Sequence, residues 1–117
     1  MKYVIIINSA PLANQASLSA YHFANALLAK QHELLTVFFY QDAAYHGLTQ
    51  TVIPVHEANI IQNWQTLARQ HQLDLTICSA AALRRGVTLE TNSGFHLAGL
   101  GYLLEICQQA DKVINFG

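Results

Sequence analysis

Three observations predict an α/β fold, a three-layer α/β/α sandwich with a mostly parallel sheet and of flavodoxin-like size. Short apolar runs recur along the chain without polar alternation, as strands covered on both faces should read. Between them lie segments whose apolar residues fall at helical spacing. The two kinds of segment alternate, which is the order that right-handed strand–helix–strand crossovers build.

Residues 3–7 form the first run, continuous and β-branched, broken by Asn8, Ser9 and Pro11. From 17 to 31, Ala20, Phe23, Ala24, Leu27 and Leu28 make an amphipathic helix, and residues 34–40 give the second buried strand. Residues 41–59 are irregular, with Gly47 and Pro54, and read as a loop with one helical turn over the sheet's carboxyl edge. A second helix follows over 57–71 with Ile60, Ile61, Trp64, Leu67 and Ala68 as its stripe. The third strand is 73–78, with a helical turn or short helix over 79–85 and a polar loop over 86–96. A helix over 97–110 and a strand over 112–116 complete the chain, which reads as one domain, 1–117, without repeats or linkers.

Composition narrows the function classes. Apolar residues make up 52% and charged residues 11%, so few charges remain to coat the outside, and we expect other subunits to cover part of the surface. A net charge of −1, with six Lys and Arg scattered along the chain, gives no footprint for nucleic acid. Two cysteines do not make a disulfide framework, and no Cys-x-x-Cys or paired-His spacing offers a metal site. The apolar run after Met1 is too short for a signal peptide or a membrane span, so a cytoplasmic location without membrane partners is expected.

In such sheets, sites lie beyond the carboxyl ends of the strands. Only one loop there brings a strong nucleophile, Cys78, which ends an apolar strand and opens a small-residue segment carrying Arg84 and Arg85. A helix N-terminus and nearby cations favour thiolate over thiol, and a strand end would leave it reachable. Arg84 and Arg85 are about two helical turns on, so they would support the thiolate through a fold-back or across a subunit contact. Against this stands the inert core cysteine, the commoner fate of a thiol ending an apolar strand. Cys107 shares a helical stripe with Leu97, Leu100, Leu103 and Leu104 and reads as core. Each of the six histidines reads as a solvated residue, with His46 and His96 in loops that could approach Cys78. Cys78 to Arg84 also fits Cys-x5-Arg, the pattern of cysteine phosphatases, but the intervening Ser-Ala-Ala-Ala-Leu has no glycine and strong helix preference, a poor phosphate cradle. The first loop, 8–17, lacks the glycine that a flavin phosphate would want. No cofactor is expected.

Cys78 followed by Ala80, Ala81, Ala82, Leu83, Arg84, Arg85, Gly86 and Val87 resembles the DsrE/TusD family of sulfur-relay proteins. Supporting pieces are Phe23-Ala24, His32-Glu33-Leu34 leading into Val37 to Tyr40, Trp64, and Leu97 to Gly101. The resemblance implies a sulfurtransferase subunit whose Cys78 carries a persulfide. It implies assembly with TusB-like and TusC-like chains into a heterohexamer, a TusA-type sulfur donor, a TusE-type acceptor, and use of the sulfur in 2-thiolation of the tRNA wobble uridine. DsrE relatives imply related transfers in dissimilatory sulfur oxidation. This chain is shorter than the longer family members between Val87 and Leu97. A phosphatase and a purely structural subunit with an inert Cys78 are the readings from other classes.

Overall fold

A computed structural model covering residues 1–117 shows a five-stranded, all-parallel sheet in the order β4-β3-β2-β1-β5. Its elements are β1 (Lys2–Ile7), α1 (Ala16–Ala29), β2 (Glu33–Phe39), a 3-10 segment (Gln41–Gly47), α2 (Ile60–His71), β3 (Leu75–Cys78), α3 (Ser79–Arg84), β4 (Phe95–Ala98), α4 (Leu100–Gln109) and β5 (Lys112–Phe116). From β1 to β4 the chain steps across the sheet in one direction, and from β4 to β5 it returns over three strands. Right-handed crossovers put helices of opposite travel on opposite faces. Hence α1 and α2 share one face and α4 lies alone on the other, the three layers the sequence predicts.

The α1/α2 face is the denser one. Ile5, Ile7, Val37, Phe39, Leu75 and Ile77 point to it by strand alternation and are fully buried. Trp64 of α2 stands edge-on to Phe39 at 5.8 Å and to Tyr21 of α1 at 5.4 Å, and Phe95 packs edge-on to Phe39 at 5.4 Å. Geometry of this kind contributes beyond the area it buries.

Two elements differ from the sequence reading. Residues 95–98, predicted as the end of a loop and the start of a helix, are an edge strand, with Leu75 through Cys78 paired to Phe95 through Ala98. Gly94, at φ +88, turns the chain into this strand, and Gly99 in extended backbone ends it, so α4 starts at Leu100 and not at Leu97. The predicted apolar stripe of α4 is not core either: none of its residues is fully buried, and Leu100, Leu104 and, on β4, Leu97 are exposed. Cys107 is accordingly half-buried. A smaller shift affects α2, which begins three residues late because the Asn59 side chain caps it, accepting from the Gln62 N–H at 3.1 Å.

Candidate functional site

β3 reads Leu-Thr-Ile-Cys and is followed at once by Ser-Ala-Ala-Ala-Leu-Arg, so strand preference gives way to helix preference at Cys78. Cys78 is thus the last strand residue and the residue capping the N-terminus of α3. Its position at the carboxyl edge is the one the sequence predicts. Its exposure is not: Cys78 is 1% accessible in this chain, so the expected reachable thiol is covered. The chain leaves β4 for α4 one residue beyond the partner of Cys78 on that strand. Thr76 and Cys78 lie on the α4 face by strand alternation, and Cys78 is paired with Ala98, next to the residue that leads into α4.

The two arginines part company. Arg85 donates from Nε to Asp42 Oδ1 at 3.0 Å and from Nη1 to the Ala81 carbonyl at 3.0 Å, tying α3 to the 3-10 segment. Arg84 is exposed and makes no side-chain hydrogen bond, and neither arginine bonds Cys78. The expected direct support of the thiolate is therefore absent in this arrangement, and Arg85 instead holds the helix that follows Cys78. Residues 79–84 are helical, so their N–H groups run along one axis and form no loop around a phosphate.

Neither His46 nor His96 makes a hydrogen bond to the thiol. His46, predicted as solvated, is fully buried. Its Nδ1 lies 2.7 Å from the Ala43 carbonyl, which can only accept, so Nδ1 carries the proton. Nε2 then accepts from the Ser17 hydroxyl at 2.8 Å, whose oxygen accepts from Trp64 Nε1 at 3.1 Å. Every polar atom in this sealed row has a partner, and burial lowers the His46 pKa to about 4.

His96 belongs to a second polar group, which the sequence reading missed. On the α4 face, Asp74 Oδ1 accepts from His96 Nε2 at 2.9 Å, and Asp74 Oδ2 accepts from the Tyr102 hydroxyl and from Thr76 Oγ1 at 3.2 Å. Thr36 Oγ1 donates to the Asp74 carbonyl at 3.1 Å. Burial first, and the Asp74 carboxylate second, push the Tyr102 phenol above its usual range. The signal was present: Asp74, Thr76 and Cys78 alternate with Leu75 and Ile77, marking one face of β3 as polar. Cys107, farther along α4, has its thiol pushed up by burial.

Two surface hollows, of about 230 and 350 Å³, flank the loop after β1, lined among others by Pro11 and Leu12. Neither is lined by Cys78. No helix is long and apolar enough to cross a membrane, and no group of three or more His, Cys, Asp or Glu is placed to hold a metal ion.

The DsrE/DsrF-like family model matches residues 1–116. The chain belongs to that family. A DsrE protein of Allochromatium vinosum is 40% identical over all of this chain and 99% of its own. The sulfurtransferase TusD homologs of Vibrio vulnificus and Vibrio cholerae are 38% identical over 99% of this chain and 98% of theirs. Among solved structures, the Escherichia coli YchN protein superimposes with a TM-score of 0.88 at 28% identity, over 99% of both chains. The alignments to the DsrE and TusD relatives run over 129 and 128 positions against 117 residues here, in keeping with a DsrE-family chain shorter than its relatives.

Proposed function

We propose that this DsrE-family chain is a sulfurtransferase subunit that carries sulfane sulfur as a persulfide on Cys78. The observation that carries this reading is the placement of Cys78 in a family whose named relatives are sulfurtransferases: it ends β3 at the carboxyl edge and caps α3. The other thiol, on α4, lies away from any strand end and has its pKa raised by burial. In the proposed cycle the Cys78 thiolate attacks the outer sulfur of a donor persulfide. The donor S–S bond breaks, the donor leaves as thiolate, and Cys78 becomes Cys–S–SH. An acceptor thiolate then attacks that outer sulfur and Cys78 leaves as thiolate. Electrons balance at each exchange, so the chemistry calls for no metal, nucleotide or flavin.

Within this reading the donor is of TusA type, the acceptor of TusE type, and the chain works in the cytoplasm in a heterohexamer with TusB-like and TusC-like subunits. The sulfur then serves 2-thiolation of the tRNA wobble uridine. The 40% identity to a DsrE protein favours a second use of the same chemistry, as a DsrE-type subunit of dissimilatory sulfur oxidation. Deletion of the gene separates the two: loss of 2-thiouridine from tRNA supports the first, and loss of sulfur oxidation with intact tRNA supports the second.

The direct test is mass spectrometry of the chain after incubation with a persulfide donor. A single added sulfur, about +32 Da, is expected on the Cys78 peptide, retained in Cys107→Ser and absent in Cys78→Ser. An adduct that persists in Cys78→Ser refutes the assignment.

A further inference from the structure

Cys78 is 1% accessible, so a second sulfur bonded to it would lie among side chains and not in solvent. The register of the sheet identifies those neighbours. Phe39 is level with Ile7 on one side and with Ile77 on the other. One step on, Tyr40 is still extended, at φ −112° and ψ 157°, and its N–H donates to the Ile7 carbonyl at 2.8 Å. Tyr40 therefore continues β2 and stands beside Cys78, one strand spacing or about 5 Å away. By alternation it shares the face of Phe38, Thr76 and Cys78, and its ring centre lies 6.5 Å from that of Phe38.

Three side chains flank Cys78 on this face. Ala98, its partner on β4, offers only a methyl group. Thr76, two residues back, has its hydroxyl engaged with Asp74, Thr36 and His96. Tyr40 is half-buried and its hydroxyl takes part in no hydrogen bond, so it is the free donor of the three. A buried sulfur that carries charge needs such a donor, because burial penalises the charged form. Arg85 does not supply one, being bound to Asp42 and the Ala81 carbonyl.

We infer that Tyr40 is the second residue of the sulfur site: its hydroxyl donates to the outer sulfur of the Cys78 persulfide and holds that sulfur as the anion. The inference rests on the proposed role of Cys78 and adds the group that meets the transferred atom. The outer sulfur extends the cysteine side chain by about 2 Å, and the unloaded thiol makes no hydrogen bond to the phenol. Tyr40 makes and breaks no covalent bond, and its proton stays on the phenol oxygen. A rival for the same hydroxyl stands on the other side. Asn8, next after Ile7 on β1, has a buried Oδ1 without a partner.

The experiment uses the Cys107→Ser chain, loaded with sodium polysulfide, desalted and checked by mass for one added sulfur on Cys78. In loading, the Cys78 thiolate attacks a terminal sulfur and the shortened polysulfide leaves. The near-ultraviolet band of the persulfide anion is then followed against pH. Tyr40→Phe removes only the hydroxyl and should raise the midpoint of that band by about one pH unit, a tenfold loss of preference for the anion. The urea midpoint of the unloaded chain should not move. A reading without a Tyr40 variant comes from isotopic labelling of the tyrosine ring carbons. The Tyr40 Cζ resonance should shift on loading and stay fixed in Cys78→Ser. An unchanged pH midpoint in Tyr40→Phe overturns the inference and leaves the carrier reading standing. So does a lower urea midpoint with the titration unmoved, the result expected if the hydroxyl serves Asn8. Absence of any added sulfur on Cys78 removes the carrier reading and this inference with it. If Tyr40→Phe does not fold, a Cζ resonance unmoved by loading decides against the phenol.

Discussion

The two faces of the sheet are built on different terms. Against one lie α1 and α2, with Trp64, Phe39 and Phe95 interlocked and the Trp64–Ser17–His46 row sealed among them. Against the other lies α4 alone, over a half-exposed group of Asp74, Thr76, His96 and Tyr102 and the covered Cys78. Both faces carry hydrogen-bonded polar rows, yet one is dry and the other wet: His46 is fully buried, whereas the His96 side chain is 55% exposed. The contrast teaches that the aromatic interlock and the sealed polar row belong to the first face, while the second buries Val4 and Phe38 beneath a helix that stays partly open. That helix carries no fully buried side chain.

Substitutions can break that division. Trp64→Ala, on the dense face, should cost about 3–5 kcal/mol in urea unfolding, a large share of the stability of an ordinary domain. A loss under about 1 kcal/mol would mean the α1/α2 face does not carry the fold. Acid should strike the same face next. The folded His46 pKa is about 4 and the unfolded value 6.5, so between them the unfolded chain binds the extra proton. The His46 contribution is complete above pH 6.5 and is lost as pH falls through 4. Urea unfolding should show a loss of about 2 kcal/mol between pH 8 and pH 5, absent in His46→Gln.

At exposed positions the effects shrink. Arg85→Ala removes an ion pair whose Asp42 side chain is 63% exposed, and should lower stability by about 1 kcal/mol or less. Leu104→Ala, at a position 67% exposed on α4, should stay within about 0.5 kcal/mol of the natural chain. If Leu104→Ala instead cost as much as a core truncation, α4 would be packed against something in solution and the contrast between faces would need redrawing.

What the sequence made legible divides along similar lines. Residues 3–7 and 34–40 could be read as strands because burial on both faces demands unbroken apolar runs, and such runs need no knowledge of neighbours. Phe95–Ala98 could not, since a four-residue edge strand burying one side chain leaves no run to see, and its pairing to β3 is a tertiary fact. The place of Cys78 at a strand end was legible from the change of preference at residue 78. Its burial was not, because what packs on the end of β3 is set by the tertiary fold and not by the local sequence. His46 escaped for a related reason: its neutral, buried state depends on Ser17, 29 residues away, and on Trp64 behind it. The Asp74 group was recoverable from alternation within β3, a period the continuous apolar reading of 73–78 passed over.

The covered position of Cys78 also bears on what a cell's small thiols can do. Small-molecule thiols attack the outer sulfur of a persulfide they can reach. A carrier that keeps its sulfur indoors until a partner docks evades that competition by geometry, with no need for a special potential. Cys107 is half-buried and Cys78 buried, so bulk thiol titrations of this chain should report mainly on Cys107.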